Sequence, residues 1–498
     1  MSASEVVWQG HPHAPAPLGA IRAARRRGPA RVVDDSGREL TFGRWQWLRE
    51  LARTAWQRLL HLDLTAAAAL LTSRKPPPFP PPRPSGDGPV VVVLPVLPDL
   101  SHTFVYRELL AMLERRPDWR VVVLQHNRRA PVHREAGRLR DRVTFLPRDG
   151  VTRHYLRALG WLLGHRRARQ LVALYRSQPD ADSRELFGKP TLRDPRHPGN
   201  AFLLADLLRA LRPRHLHVYA STWPANVAMG TAHLLDVPFS ISSYVDFEFP
   251  YSHRMLAEKV RRATFFRVVT RYCAERLRAL VPEITAERAP VVYLGLDLDN
   301  WQQRAEPPGQ GIIVSAARIV PKKGLHLMPA ALEVLRQRGL QFRWRVLGDG
   351  PELERVRALC REHRVDDAVE LLGACDNSAV RAALLRADVA ALPCLVADDG
   401  ERDGIPIFFV EAMALGVPVV TTPISGIPEL VRDGDTGFLH APDDVAALAD
   451  RLAAVFADPA RARAVGERGR AEVHRTLDVH RSAAQLIGHI EKAPGCDE

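Results

Sequence analysis

The chain has 498 residues, 46% of them hydrophobic and 26% charged, and a formal net charge of +13. This length exceeds what one hydrophobic core supports, and the basic balance favours polyanionic partners such as nucleic acid, an anionic membrane face or phosphorylated substrates. The five cysteines have neither CxxC nor zinc spacing, no apolar run reaches the length of a membrane span, and the N-terminus lacks a signal-peptide pattern, so we expect a reduced cytoplasmic protein.

Residues 1–88 form a predicted N-terminal extension with its own texture. Arg31–Arg38 has the pattern of a strand and a turn, and residues 44–62 are apolar at helical spacing. The proline-rich run Lys75–Pro84 is compatible neither with a helix nor with a central strand, so it is predicted to be a stiff linker.

A first α/β domain is predicted over residues 89–300. Val90–Leu94 is a continuous apolar run, as expected for a strand buried in a parallel sheet. Helical stretches separate it from further predicted strands, an alternation typical of a doubly wound sheet. These strands are Val121–Leu124, Leu216–Tyr219, Phe239–Ser242, Val268–Thr270 and Val291–Tyr293.

Residues 151–176 combine a Leu/Trp/Tyr face with many Arg and His side chains. This pattern fits an interfacial helix on anionic lipid. It fits equally well an ordinary helix with one face on the core and a charged exterior. Both interpretations stay open at this point, and the helix predicted over 44–62 raises the same question.

A second α/β domain is predicted over residues 301–475, after a polar segment around Asp299–Gly311. Its predicted strands are Ile312–Ala316, Phe342–Leu347, Val369–Leu372, Val389–Leu392 and Val417–Thr421. Residues 476–498 are predicted to hold a last helix, roughly Val479–Glu491.

The most informative stretch is DGIPIFFVEAMALGVPVVTTPISGIPELV, residues 403–431. Asp403 precedes a short apolar helix, and Glu411 lies on it. The backbone over Gly404, Ile405, Pro406 and Ile407 forms the helix start, and its N–H groups, which Pro406 lacks, together with the helix dipole favour a phosphate. Two acids with N–H donors between them suit a nucleotide-sugar. The alternative is a helix capped by Asp403 with a solvated Glu411.

This segment resembles the donor-site signature of the group 1 retaining glycosyltransferases of the GT-B fold. That signature has an acid, then Gly and often Pro, then a second acid eight positions after the first; the first acid is usually Glu, where this chain has Asp403. The resemblance implies an α/β, GT-B architecture with two facing Rossmann-like domains, here behind an N-terminal extension, and a last helix that crosses back to the first domain. It also implies that neither a metal nor a cofactor is needed.

Two further motifs of the second half resemble the same family. SAARIVPKKG matches the pattern G-R-x-x-x-x-K-G with Ala317 in place of the Gly, which implies that Arg318 and Lys323 hold the donor diphosphate. Fixed cations there would stabilise the leaving group's growing charge. Without the spacing, such a basic pair indicates only a solvated surface. Gly348 in LGDGP and Leu372 in ELLG resemble segments that border the donor nucleotide.

The first domain carries weaker likenesses. Leu97–Glu108 resembles the S-E-T-F-I…E opening of exopolysaccharide-type members, so Ser101 is a helix cap or a ligand and His102 faces the cleft. FSISSYVDFEF resembles FSFTAHAHDIF, in which the middle His reaches the transferred sugar. Tyr244 takes that place, and Asp246 is a candidate acid. A phenol cannot exchange protons near pH 7 as an imidazole does.

The sequence therefore predicts a metal-independent retaining glycosyltransferase that moves a sugar from a nucleotide-diphosphate donor to a glycan or lipid-linked acceptor in exopolysaccharide or cell-surface glycan synthesis. The predicted location is cytoplasmic, with an anionic membrane surface as a candidate partner at the inner membrane face. A non-catalytic scaffold that binds nucleotide-sugars or lipid-linked glycans is the alternative. Nucleic-acid binding rests on charge alone and is not predicted.

Overall fold

The computed structural model of the protein describes residues 31–33, 39–41, 87–99, 102–127, 134–147, 151–176, 200–244, 249, 253–304 and 309–493. Near the N-terminus, β1 (Arg31–Val33) and β2 (Glu39–Thr41) pair as antiparallel strands. The helix predicted over 44–62 and the proline-rich linker lie outside the described residues.

The first large sheet has six parallel strands in the order β5-β4-β3-β6-β7-β8. Its strands are β3 (Val90–Leu97), β4 (Arg120–His126), β5 (Val143–Phe145), β6 (His215–Tyr219), β7 (Phe239–Ser242) and β8 (Phe266–Arg267). Its helices are α1 (Thr103–Arg115), α2 (Arg134–Arg140), α3 (Val151–Gly164), α4 (Arg166–Arg176), α5 (Asn200–Leu208), α6 (Trp223–Leu235), α7 (His253–Arg262) and α8 (Arg271–Leu280). Successive residues of β3 enter the two clusters on opposite faces, so this strand is buried on both sides, as its apolar run predicts.

The second large sheet is also six-stranded and parallel, in the order β11-β10-β9-β12-β13-β14. Its strands are β9 (Ile312–Ala316), β10 (Arg343–Leu347), β11 (Val369–Leu371), β12 (Val389–Ala391), β13 (Val419–Thr421) and β14 (Phe438–Leu439). Its helices are α9 (Met328–Gln337), α10 (Leu353–Glu362), α11 (Asn377–Leu385), α12 (Ile407–Ala414), α13 (Val445–Ala457) and α14 (Pro459–Thr476).

The last helix, α15 (Val479–Glu491), packs on the first sheet's unit rather than on the second. Its apolar face joins the cluster that includes β3 and α1 through Val479, Ala483, Leu486, Ile487 and Ile490. One chain segment thus ties the two α/β units together.

The sheets differ from the predicted strands mainly at their edges. The short edge strands β5 and β14 were not predicted, because two or three residues carry too little periodicity to stand out. The strand predicted at Val268–Thr270 is wrong in position: β8 ends at Arg267, and Val268 only forms an isolated bridge with Val291.

Helices α3 and α4 divide the 151–176 stretch at His165. One face of the pair is buried against α5, where Trp161, Leu162 and Leu171 join one cluster with Phe202. The opposite face of α3 leaves Leu156 65% exposed and Leu163 62% exposed. This region therefore has a core-facing side and an exposed apolar side. No helix in the described ranges is both long and apolar enough to cross a bilayer.

Candidate functional site

The candidate site lies at the point where the second sheet changes direction. The chain crosses from β9 outward to β10 and β11 on one side, and to β12, β13 and β14 on the other. Ligands of open parallel sheets bind beyond the carboxyl ends of the strands at such a point. Arg318 and Lys323 follow β9, and Asp403 follows β12, so the two predicted motifs meet at this crevice.

Lys323 and Asp403 form a close ion pair in the crevice. Lys323 Nζ lies 2.7 Å from Asp403 Oδ2, and Lys322 Nζ lies 3.6 Å from Asp403 Oδ1 and 3.2 Å from Glu401 Oε1. The shorter side chain of an Asp still reaches the lysine here. Lys322, which the sequence motif sets aside, also takes part in this cluster.

The pair stays charged over a wide pH range. Burial acts to raise the pKa of Asp403, but the charges of Lys323 and Lys322 outweigh it and hold that pKa below its usual value. Burial acts to lower the pKa of Lys323, but the Asp403 carboxylate outweighs it and raises that pKa. Arg318 is exposed, and its positive charge opposes this rise in the pKa of Lys323. The charges of Arg318 and Lys323 therefore influence each other.

Two glycines fix the loops that carry these cations. Gly324 follows Lys323 at φ +66°, and a Cβ there would lie 1.9 Å from the carbonyl oxygen of Pro393. Gly348, at φ +151°, would place a Cβ 1.8 Å from the carbonyl oxygen of Ala317. Close approach of backbone therefore requires glycine at both positions. Gly348 lies directly against the backbone of the Arg318 loop at Ala317.

Helix α12 begins at Ile407, and its N-cap residue Pro406 offers no side-chain cap. The first N–H groups of a helix have no partner within the helix, so such a start favours an anion. The preceding loop over Gly404 and Ile405 connects this start directly to Asp403. Asp403 itself is not the cap, which removes one basis of the alternative interpretation of this motif.

Glu411 lies on α12 and contacts the opposite α/β unit. Its side chain is only 8% exposed, and Oε1 lies 3.6 Å from Nη1 of Arg107 on α1. Nε of Arg107 donates a 3.1 Å hydrogen bond to Glu135 on α2. Burial raises the pKa of Glu411 to about 7, and Arg107 limits the rise. The solvated Glu411 of the alternative interpretation is therefore wrong.

The raised pKa of Glu411 predicts a pH-dependent stability. The ordinary pKa of a glutamate is 4.5, so between that pH and about 7 the folded protein keeps a proton that the unfolded chain has lost. Stability should therefore fall as pH rises through this window, by roughly 3 kcal/mol at most. Asp403 acts oppositely but below its usual pKa, outside this window. Urea unfolding of wild type and Glu411→Gln at pH 5 and pH 8 measures the effect; an equal pH dependence in both proteins would contradict it.

His102 and Tyr244 lie together at the carboxyl edge of the first sheet. Their ring centroids are 6.3 Å apart, and Phe104 packs edge-on against Tyr244 at 5.2 Å. His102 Nδ1 lies 3.4 Å from Oδ2 of Asp99. Tyr244 is mostly buried, so the partly exposed imidazole is the more accessible polar group of this cluster.

Glu108, which closes the first-domain motif, lies away from the cleft in a buried network. Arg267 Nη2 donates to Glu108 Oε1 at 2.7 Å, and the Tyr219 hydroxyl donates to Glu108 Oε2 at 2.8 Å. His217 extends the network through hydrogen bonds with the hydroxyls of Ser240 and Ser242. Burial lowers the pKa of His217 well below its usual value, so this histidine is neutral and internal. Strand β6, which carries His217 and Tyr219, is thus a core element.

Of the remaining predicted site residues, some lie within the described part of the chain and others do not. Leu372 is 47% exposed after β11, where an apolar side chain can meet a flat ligand. Ser101 and Asp246 lie outside the described residues. Glu429, near the end of the 403–431 stretch, accepts hydrogen bonds from the N–H groups of Arg271 and Tyr272 at 2.9 and 2.8 Å and so caps α8 across the units.

One group of oxygen and nitrogen ligands lies outside this crevice. Side-chain atoms of Asp297, Asp299 and His480 are within 4.8 Å of one another, an arrangement compatible with a metal ion. Asp299 is exposed, and exposed acidic groups often have this geometry without an ion. Metal independence remains a prediction.

Comparison with known sequences finds a protein family that is similar to the second unit. Residues 299–472 match the family model described as "Glycosyl transferases group 1". The putative colanic acid biosynthesis glycosyltransferase WcaL of Salmonella typhimurium is 41% identical over 169 residues, 34% of this chain and 42% of the relative. The amylovoran biosynthesis glycosyltransferase AmsK of Erwinia amylovora is 34% identical over 209 residues, 42% of this chain and 51% of the relative. The chain thus matches about half of each relative's length, and the resemblance drawn from the motifs is confirmed.

Comparison with solved structures confirms the GT-B fold. HepE of Anabaena, solved in complex with UDP, has a TM-score of 0.60 at 16% identity, covering 80% of this chain and 98% of that chain. Sucrose-phosphate synthase of Thermosynechococcus elongatus has a TM-score of 0.60 at 17% identity, with the same coverage of 80% and 98%. At such low identity these likenesses carry the architecture alone.

Proposed function

We propose that this protein, whose residues 299–472 match the family model of the group 1 glycosyltransferases, moves a sugar from a nucleotide-diphosphate donor to an acceptor hydroxyl in exopolysaccharide or cell-surface glycan synthesis. The observation that carries the proposal is the Lys323–Asp403 pair at the uncapped start of α12. It supplies cations, an acid and N–H donors around one crevice at the sheet's switch point.

The diphosphate would bind between the cations and the helix start. Arg318 and Lys323 offset the negative charge that grows on the leaving phosphate, and the backbone N–H groups of Gly404, Ile405 and Ile407 add fixed dipoles. Lys323 can turn from Asp403 to the phosphate as the donor enters, which leaves Asp403 to accept hydrogen bonds from the sugar. Such a site needs neither metal nor cofactor.

The other donor groups have distinct partners. Glu411 would accept hydrogen bonds from the ribose hydroxyls, and the exposed Leu372 would border the base. The acceptor hydroxyl would attack the anomeric carbon from the same face that the phosphate leaves, with the leaving phosphate assisting the attack. The anomeric configuration would therefore be retained. WcaL and AmsK are named for colanic acid and amylovoran biosynthesis, which supports a glycan or lipid-linked acceptor.

The first domain would hold the acceptor side. His102 is the partly exposed imidazole at this edge. Tyr244 can hydrogen-bond a sugar hydroxyl. Ser101 and Asp246 remain candidates from sequence alone.

We also propose that the protein works in the cytoplasm and approaches an anionic membrane through α3. Leu156 and Leu163 are seven positions apart and so share one helix face. Exposed arginines at 166 and 209 lie on neighbouring segments. An apolar strip with basic neighbours suits the headgroup region of anionic lipid.

A non-catalytic nucleotide-sugar scaffold is the second candidate, and two observations favour it. The buried phenol of Tyr244 is a poor proton carrier near pH 7, and Asp403 is bound by lysines. Release of free sugar from the donor by the purified protein separates the two candidates, because a scaffold leaves the donor intact.

A thermal-shift panel with UDP, GDP, ADP and dTDP tests the donor site. A nucleotide at 100 times its dissociation constant adds about 2.7 kcal/mol of stability, enough for a clear rise in Tm.

Arg318→Ala is expected to lower donor turnover by about 100-fold or more while folding is kept. Arg463→Ala, an exposed arginine paired with Glu467 on α14, is the matched control and should keep full turnover. No shift with any nucleotide, or a fully active Arg318→Ala, would remove the proposal.

A further inference from the structure

Arg107 is the residue through which α1 of the first unit contacts the donor helix α12. Nη1 lies 3.6 Å from Glu411 Oε1, and Nε donates to Glu135 Oε1 at 3.1 Å. The side chains of Arg107 and Glu411 are 10% and 8% exposed, so this bridge is largely shielded from water. Neither Arg107 nor Glu135 was singled out from the sequence.

Arg107 has more N–H groups than its contacts with Glu135 and Glu411 use. A guanidinium has five N–H donors, and Arg107 directs Nε and Nη1 to the two carboxylates. Among the described residues, Nη2 has no hydrogen-bond partner. The 3.6 Å separation from Glu411 is also longer than a good charge-assisted hydrogen bond, whereas the Glu135 contact is of normal length. Arg107 is thus anchored by Glu135 and turned towards Glu411.

A hydroxyl group beside the 3.6 Å contact can hydrogen-bond to both partners. Its hydrogen can be donated to the Glu411 carboxylate while its oxygen accepts from the guanidinium, so one ribose hydroxyl satisfies both. The charged groups around Glu411 are Arg107 from α1 and Glu135 from α2. Glu135 disfavours the ionised form of Glu411, and Arg107 favours it, so the cation keeps the acceptor available.

We propose that Arg107 is a nucleotide-binding residue supplied by the opposite domain, which holds the donor ribose against Glu411. This inference rests on the proposed function and extends it to a residue outside the matched region 299–472. Donor binding would then draw the two domains together, because the ribose hydroxyls would bridge α12 and α1.

Binding of UDP and GDP, each compared with its 2′-deoxy form, tests the inference by calorimetry on the full chain. We expect Arg107→Gln to weaken the nucleotide that binds wild type by about tenfold or more, the loss of one charge-assisted hydrogen bond. The ratio of deoxy to ribo dissociation constants should fall towards one in Arg107→Gln and remain intermediate in Arg107→Lys. A purely structural role would weaken both forms equally and leave the ratio unchanged.

The outcomes are separable from those of the proposed function. Nucleotide binding with an unchanged deoxy-to-ribo ratio in Arg107→Gln overturns the role of Arg107 and leaves the donor site in place. Failure of wild type to bind UDP and GDP, together with no thermal shift for ADP or dTDP, overturns both. Should Arg107→Gln not fold, Arg107→Lys decides: it keeps the charge but loses the fork, so an undiminished ratio there contradicts the inference. Arg138→Gln, whose exposed guanidinium pairs with Glu114 near the same helix, should bind like wild type.

Discussion

Lys323→Ala is expected to reduce donor turnover by about 10²–10³-fold, because it removes the compact cation that meets the leaving diphosphate. The same change leaves the largely buried Asp403 without its 2.7 Å partner. With only Lys322, 3.6 Å away, left to offset its charge, Asp403 should cost up to about 3 kcal/mol of stability. Steady-state donor turnover and urea unfolding, measured on the same preparation, report the two losses separately.

The double variant Lys323→Ala/Asp403→Asn separates electrostatics at the site from folding. It removes both charges, so most of the stability should return while turnover stays low. Lys322→Ala is the neighbouring comparison: its ammonium is 3.6 Å from Asp403, and a smaller loss of turnover is expected. Equal losses in Lys322→Ala and Lys323→Ala would show that the position before Gly324 has no special part in diphosphate binding.

Glu108→Leu is expected to destabilise the first domain by about 3–5 kcal/mol. Its carboxylate is fully buried and receives both the Arg267 guanidinium and the Tyr219 hydroxyl. Without it, Arg267 keeps its hydrogen bond to the Val292 carbonyl but has no counter-charge. Urea unfolding followed by circular dichroism should show an earlier transition for this domain.

Glu114→Ala gives the matched comparison on the same helix. Glu114 pairs with Arg138 at the surface, so its loss should cost less than about 1 kcal/mol. Glu108→Leu/Arg267→Met should recover part of the stability, since a buried pair replaced by apolar side chains leaves no isolated charge. An unchanged midpoint in Glu108→Leu would mean that the buried charge of Arg267 is compensated in another way.

The sequence predicted those features that short stretches of chain determine. The apolar run Val90–Leu94 requires burial on both sheet faces, and the spacing of Arg318, Lys323 and Gly324 reflects one loop with a glycine that no larger residue replaces. The Arg107–Glu411 bridge escaped prediction because its partners are far apart in the chain and Arg107 looks like an ordinary helix residue. Glu108 escaped for the same reason: its partner Arg267 comes 159 positions later.

The return of α15 to the first domain has a consequence for how this chain matures. Synthesis runs from the amino end, so β3 and α1 emerge early, whereas Val479, Leu486 and Ile490 emerge only after the whole donor unit. Until then the apolar surface of the first domain that α15 will cover stays exposed, while the donor unit already has every strand of its own sheet. We therefore expect the later-made half to reach its native form first and the earlier-made half to wait for the chain to come back to it.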